Sequence, residues 1–570
     1  MYLNNKQIFW LIFVGSLLWS LTMVKSGIIY SYGMGFWGPN GHDGVWHIAL
    51  AESISRNSWE IPIFAGEVIK NYHLGFDLIL SWLHKVTFIP IVVLYFQILP
   101  PILAFFIGFY SYKFINYWTK DKNKAFWGTF FVYFGGSWGW LVNLLRGEKP
   151  LGESMFWSQQ SISTLLNPPY ALSLLLIFSG LYYLLVGLDK KDKNKLVLAT
   201  FLFGILVQIK VYAGILMLIS LFVASVWNIF KREGFQIFKI FSGSLIISLL
   251  VFSPLTKNLD KSLIYKPFWF LETMMVFSDR LRWAKYGEAM VNYKFSGLWF
   301  KAFLAYFLAF LIFLIGNLGT RIIALGWLWK KRKIFYSFQF IDVLVVSVIF
   351  TGILIPTLFI QSGTSWNTIQ FLYYSLTFVG ILAGIYFGGL IKKFESNASM
   401  IRIIKVGLVF LTIPTNLGTL YYHYLPKRPP AMISKEELAA LKYLSGEPYG
   451  IVLTQPFDKD KANAAIQNPP RPLYLYESTA YVSAFSGKPT YLEDQVNLEI
   501  TGYDWVSRRR VIENYFFAKM SEDSLEFLLD NEISYIYVVK NFGRFGFEKD
   551  ERLNKIFEND EIEIYRVKKH

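Results

Sequence analysis

Long apolar runs cut by short charged stretches recur along the first three quarters of the chain, and they decide what it can fold into. A hydrocarbon core roughly 30 Å thick is crossed by about 20 mostly apolar residues in a helix, whose backbone polar groups satisfy one another. Eleven segments read as such spans: 8 to 30, 90 to 117, 125 to 145, 169 to 187, 196 to 209, 213 to 230, 237 to 254, 298 to 329, 339 to 360, 369 to 391 and 403 to 424. With 54% hydrophobic and only 17% charged residues, a soluble surface is out of reach for 570 residues. The expected fold class is an α-helical polytopic membrane protein. The first segment is too long for a signal h-region and lacks a small-residue cleavage site, so it is read as a retained helix.

A net charge of +16 would suit a nucleic-acid ligand in a soluble protein. Its distribution argues against one. Residues 1 to 7, 118 to 124, 188 to 195, 231 to 239, 330 to 338 and 392 to 405 hold 19 Lys/Arg in 54 positions, whereas the alternate connections hold 13 in 137. That bias is the positive-inside pattern and places the amino terminus in the cytoplasm. An odd number of spans then puts the carboxyl terminus outside. The chain has no cysteine, so any metal must sit on His, Asp or Glu.

After "HYLPKRPP" the composition becomes that of an α/β domain. Ser434 followed by Glu437 is a capping box opening the helix "SKEELAALKYL". "GIVLTQ", "SYIYVV" and "EIEIYRV" read as strands, and "SEDSLEFLLDN" as a helix. The expected division is a transmembrane domain over 1 to 429 and an exterior domain over 430 to 570.

The first exterior connection, 31 to 89, holds four of the six histidines and is far longer than two spans need. In "GVWHIALAESIS", Trp46, Leu50 and Ile54 form an apolar stripe with His47 and Glu52 off it. In "NYHLGFDLILSWLHK", Leu74, Leu78 and Trp82 share one face, and His73, Asp77 and Ser81 another. Two amphipathic helices on the outer leaflet are expected. Asp43, in "NGHDGVWH", reads either as a helix N-cap or as a catalytic carboxylate where the first span surfaces. The two roles are compatible, since a carboxylate held by backbone N–H groups stays ionised and available as a base.

In these features the chain resembles the C-superfamily (GT-C) membrane glycosyltransferases. The resemblance rests on the cytoplasmic amino terminus, on His42 and Asp43 after the first span and on the two first-loop helices. It also draws on the short paired helices around "QIKVYAG" and on the exterior carboxyl-terminal domain. It implies transfer of a sugar from a polyprenyl-phosphate donor to a glycan, lipid or protein acceptor at the exterior face of the cytoplasmic membrane. Asp43 would act on the acceptor hydroxyl with His42 beside it.

A departing lipid phosphate needs a fixed cation. Lys210, with Tyr212 in "QIKVYAG", interrupts an apolar stretch and either binds phosphate or snorkels to the interface. Arg280 and Arg282, with Lys285, form a second basic cluster that suits phosphate or anionic headgroups equally. Gln361, Trp366, Asn367 and Gln370 in "FIQSGTSWNTIQ" read as sugar contacts or as an interfacial belt. His47 and His73 join the substrate-binding candidates.

No cofactor is expected to be required. His42, Asp43, His47 and His73 could hold a divalent metal, but the resemblance implies that metal-dependent relatives draw a second acidic pair from the second exterior connection, and residues 146 to 168 depart from that pattern with only Glu148 and Glu153 and no Asp-x-Asp. The favoured reaction is therefore a metal-independent inverting transfer. Arg508 to Arg510 read as a packing face. The rival functions are a transporter or flippase of lipid-linked saccharide and an O-antigen ligase or polymerase.

Overall fold

Helices dominate because most of the chain is apolar and unbroken by Gly or Pro over stretches long enough to close their own hydrogen bonds. The structure is a computed structural model that describes residues 4–252, 263–332, 337–394, 397–517, 522–542 and 551–568. The start of the 255 to 298 connection and Lys333 of "KKRK" lie outside them.

Among the described residues six helices are long and apolar enough to cross a membrane: Ile91–Thr119, Pro168–Lys190, Val211–Phe230, Trp299–Arg332, Phe340–Leu358 and Ser365–Lys393. Ala398–Thr412 and Pro414–Tyr424, bent by 41°, make a seventh if they form one span. The remaining expected spans are shorter or broken. The first is the helix Asn5–Ser20, which gives way to turns. The stretch 125 to 145 divides into Lys122–Phe134 and Gly139–Leu145, and 237 to 254 is the 17-residue helix Gln236–Phe252.

By its internal contacts the chain forms two compact units. One comprises Met1–Thr22, Pro100–Pro254 and Asn258–Leu425. Glycines bring its helices close: a Cβ on Gly384 would sit 2.2 Å from the Gly128 nitrogen, so Lys122–Phe134 and Gln370–Lys393 touch backbone to backbone. Where its helices break, side chains take up the freed carbonyls. Asn416 Nδ2 donates to the Phe134 carbonyl at 2.6 Å, and Thr415 Oγ1 to that of Ser137 at 2.8 Å. Arg321, buried at the break after Gly319, donates to the carbonyls of Asn317 and Leu318 and to the Gln160 side chain.

The second unit comprises Met23–Leu99, Leu255–Lys257 and Pro426–His570. The connection 31 to 89 therefore groups by its contacts with the carboxyl-terminal segment. The cause is strand pairing. Gly33–Phe36 pairs antiparallel with Ala431–Ser434, flanked by Ile29–Tyr30 on one side and by Arg471–Pro472, parallel, on the other. Gly33 sits at φ 127°, and a Cβ there would lie 2.1 Å from the Ile433 carbonyl oxygen, so only glycine closes this pair without strain. A second sheet orders its strands Ile451–Thr454, Ile533–Val539, Ile562–Val567 and Leu553–Glu558. The capping box of Ser434 and Glu437 starts the helix Lys435–Gly446 as the spacing requires.

The first-loop helices differ from expectation in one respect. Asp43–Ser55 is buried on nearly every side within its unit, so it is a core helix and not an amphipathic one on a leaflet. Its off-stripe residue His47 is buried because it has a polar partner there. Gly75–Thr87 keeps an exposed apolar side, with Leu78 and Trp82 outward, and a buried side carrying Asp77 and Ser81.

Candidate functional site

Asp43 is the first residue of its helix, which places His42 at the cap position. The glycines on either side and the 3-10 turn Gly38–Gly41 lead the chain into that start. The His42 Nδ1 and the Asp43 Oδ1 lie 2.9 Å apart, and the Asp43 side chain is about half exposed, at 52%. Burial works against a charged His42, but the Asp43 carboxylate, by charge and hydrogen bond, and the Asp494 carboxylate nearby lift its pKa above the ordinary 6.5. His42 is thus shifted toward its charged form beside the half-exposed Asp43 carboxylate. Such a pair orients the carboxylate where solvent reaches it.

Asp494 comes from the far end of the chain. It sits at φ 43° at the cap of Gln495–Thr501, where its carboxylate accepts from the Asn497 backbone at 3.0 Å and side chain at 2.7 Å. Desolvation raises its pKa to about 7, and the neighbouring Asp43 charge adds to that. Sequence reasoning missed Asp494, because nothing local to "LEDQ" announces a partner more than four hundred positions earlier. On the other side of His42, Tyr476 stacks with its ring centroid 6.1 Å away and itself carries the Arg471 guanidinium at 3.9 Å.

His47 belongs to a different constellation. Its Nδ1 meets the Asp77 Oδ1 at 2.8 Å, with 5% and 0% of the two side chains exposed, under the rings of Phe76, Tyr72 and Tyr95. His73 precedes the helix Gly75–Thr87 instead of sharing its face, and it stacks on Tyr72 at 4.6 Å. Among the described residues no group of three or more His, Cys, Asp or Glu side chains is arranged to hold a metal ion. The four candidate ligands are thus divided between an exposed pair, a buried pair and a stacked ring.

The remaining candidates lie in the other unit. Lys210 is buried at the break between Leu206–Ile209 and Val211–Phe230, with its ammonium 5.4 Å from the Tyr212 ring. The Tyr212 hydroxyl donates to the Gln361 Oε1 at 2.5 Å. Gln361 ends a strand, Phe359–Gln361, that pairs with Leu263–Tyr265. Lys210, Tyr212 and Gln361 therefore form one cluster. Trp366 is exposed, and Gln370 Nε2 reaches the Asn367 Oδ1 at 3.5 Å.

The basic cluster separates. Arg282 pairs with Glu148 at 2.6 Å on the surface, whereas Arg280 stacks its guanidinium 4.2 Å from the Trp157 ring. Arg146, absent from the sequence reading, donates to the Leu281 carbonyl. The Nε of Arg280 and one terminal nitrogen of Arg146 are buried without hydrogen-bond partners among the described residues. Burial lowers the pKa of both arginines. Arg508 packs at 3.6 Å over the Phe64 ring, and Arg509 pairs with Glu513.

No protein-family model matches this chain, and no curated protein does. Solved structures match it by fold. The oligosaccharyltransferase of Archaeoglobus fulgidus, solved with a tethered acceptor peptide, is 11% identical over 95% of this chain and 70% of its own, with a TM-score of 0.51. The arabinofuranosyltransferase AftD from Mycobacteria is 10% identical over 100% of this chain and 40% of its own, with a TM-score of 0.54. The chain has the fold of the C-superfamily membrane glycosyltransferases.

Proposed function

We propose that the protein is a glycosyltransferase that moves a sugar from a polyprenyl-phosphate donor to an acceptor at the exterior face of the cytoplasmic membrane. The single observation that carries this reading is the half-exposed Asp43 carboxylate, oriented by His42, in the first loop of a chain with a glycosyltransferase fold. Transfer with inversion requires a base for the acceptor hydroxyl on one side of the anomeric carbon and stabilisation of the leaving phosphate on the other. Asp43 accepts the hydroxyl proton as the acceptor oxygen bonds to the anomeric carbon. The phosphate departs with the electron pair of the broken C–O bond. His42, 2.9 Å from the Asp43 carboxylate, orients it.

Cations chemically able to meet a phosphate group lie within the other unit. Arg280 and Arg146 have buried N–H groups with no partner among the described residues, and Lys210 sits buried at a helix break. Arg282 is paired with Glu148 at 2.6 Å, and Arg280 is likewise paired with Asp279 at 2.7 Å. The proposed transfer is metal-independent, with the amino terminus cytoplasmic and residues 430 to 570 exterior. Undiminished transfer in EDTA is the expected result.

The test is Asp43→Asn in reconstituted membranes supplied with radiolabelled polyprenyl-phosphate sugars and a panel of acceptors. Loss of a base of this kind lowers the rate by about 10²- to 10⁴-fold. Transfer at the wild-type rate would remove Asp43 from the chemistry.

One observation favours a second reading. Arg321 is a buried cation among broken helices, the arrangement found where transporters bind substrate. If the chain were a flippase, labelled lipid-linked saccharide would cross liposomes containing it, and Arg321→Gln would stop that movement while Asp43→Asn would not.

A further inference from the structure

Glycine is a poor helix former, yet Gly44 stands in the first turn of Asp43–Ser55, directly after the carboxylate at its start. The reason lies in what faces it. A Cβ at Gly44 would come within 2.7 Å of the Phe96 Cζ and 3.1 Å of both the Phe96 Cε1 and the Tyr95 Cε1. The other edge of the same Phe96 ring abuts Gly27, where a Cβ would lie 2.6 Å from the Cδ2. Gly27 sits at φ 75°, and its N–H donates to the Gly35 carbonyl at 3.0 Å. One fully buried ring thus fills the gap between the segment after the first helix and the start of the helix that carries Asp43.

Phe96 rides on a π-helical turn, Leu94–Ile98, near the start of the apolar helix Ile91–Thr119. There the Leu99 N–H donates to the Leu94 carbonyl, five residues back. The extra residue in such a turn rotates the side chains before it against those after it by about 100° relative to an unbroken α-helix. From this turn both Tyr95 and Phe96 reach Gly44.

The turn is anchored as well as aimed. Gln97 Nε2 donates to the Ser26 carbonyl at 2.7 Å and to that of Val24 at 3.2 Å. The Ser26 Oγ in turn accepts from the Trp37 backbone and from the Asn40 side chain, each at 3.0 Å. Asn40 lies in the 3-10 turn that leads into His42 and Asp43. The ring cannot slide away from Gly44 without disturbing these bonds, so a push at Gly44 is taken up by the helix start.

We propose that Phe96 is a positioning residue for the transfer: wedged between Gly27 and Gly44, it sets the direction in which the Asp43 carboxylate leaves the start of its helix. The link to transfer rests on the transferase reading of Asp43. Phe96 is buried and acts by shape alone. A reacting group misplaced by about an ångström loses about 10²-fold in rate, so the effect belongs to kcat and not to KM.

The test uses full-length protein in reconstituted membranes, with radiolabelled polyprenyl-phosphate sugars and the acceptor from the panel that the wild type uses best. Gly44→Ala is expected to lower kcat by about tenfold or more while KM stays within about twofold. Alanine is the better helix residue, so a lost propensity cannot account for that fall. Phe96→Leu withdraws the ring tip, and in the Gly44→Ala background it should recover most of the lost kcat. Histidine NMR supplies a readout that needs no sugar. Burial lowers the His42 titration and the Asp43 contact raises it, so it should fall in Gly44→Ala and return in the double variant. The proposal is overturned if Gly44→Ala keeps the wild-type kcat, if the double variant is no faster than Gly44→Ala, or if kcat falls while the His42 titration stays in place. Should Gly44→Ala fail to fold, Phe96→Leu decides alone: a lower kcat with a shifted His42 titration supports the wedge, and an unchanged titration overturns it. A wild-type chain that transfers no sugar would refute the transferase reading, and the His42 titrations would still decide whether Phe96 positions Asp43.

Discussion

Two histidine–aspartate pairs lie five residues apart along one helix, and almost everything about them differs except their length. His42 and Asp43 are chain neighbours, 2.9 Å apart and open to solvent. His47 and Asp77 are thirty residues apart, 2.8 Å apart and sealed. An exposed pair of this kind contributes little to stability and leaves its carboxylate available. A buried one locks two helices together, and removing one partner strands the other away from water. Under the proposed function similar chemistry would serve reaction in one place, while in the other it serves architecture, and burial makes the difference.

The comparison breaks most visibly at Asp77. Asp77→Ala is expected to lower the unfolding free energy by about 3–5 kcal/mol, the scale for a broken buried pair. Thermal unfolding in detergent, followed by tryptophan fluorescence, would register it. Asp43→Ala in the same assay should stay within about 0.5 kcal/mol of wild type. A reversal of these two results would mean that the exposed pair is the structural one.

Titration sharpens the contrast. Because the pKa of His42 is raised in the folded state, its contribution is fully present below the unfolded value of about 6.5 and is lost as pH rises through the higher folded value. With Asp43 half exposed, that contribution is worth no more than about 1 kcal/mol. Histidine NMR should place the His42 titration above 6.5 and return it toward or below that value in Asp43→Asn. The smallest effect is expected from Asp494→Asn, which should lower the His42 titration by less than Asp43→Asn does, since Asp494 acts through its charge while Asp43 also forms the hydrogen bond. An equal or larger shift would make Asp494 the principal partner.

Much of the architecture was legible along the chain. The capping box at Ser434 and the strands at "GIVLTQ", "SYIYVV" and "EIEIYRV" rest on hydrogen bonds and side-chain alternation among near neighbours. The Asp43–His42 pair was visible for the same reason. The helix breaks near Gly135 and Gly319 were not, because a run of apolar residues scores alike whether its carbonyls are bonded within the helix or by Asn416 and Arg321. The burial of Asp43–Ser55 escaped notice because periodicity measures which face is oilier and says nothing of what covers the other.

Sequence alone determined that this chain belongs in a membrane and that a titratable cluster follows its first apolar segment, since transfer of apolar helices out of water and contacts between adjacent residues are local properties. Tertiary structure decided which histidine is sealed and which carboxylate from the distant carboxyl-terminal segment stands beside His42. Those outcomes depend on pairings such as Gly33 with Ser434 and His47 with Asp77. Their energies exist only once segments remote in the chain have been brought together and water has been excluded from between them.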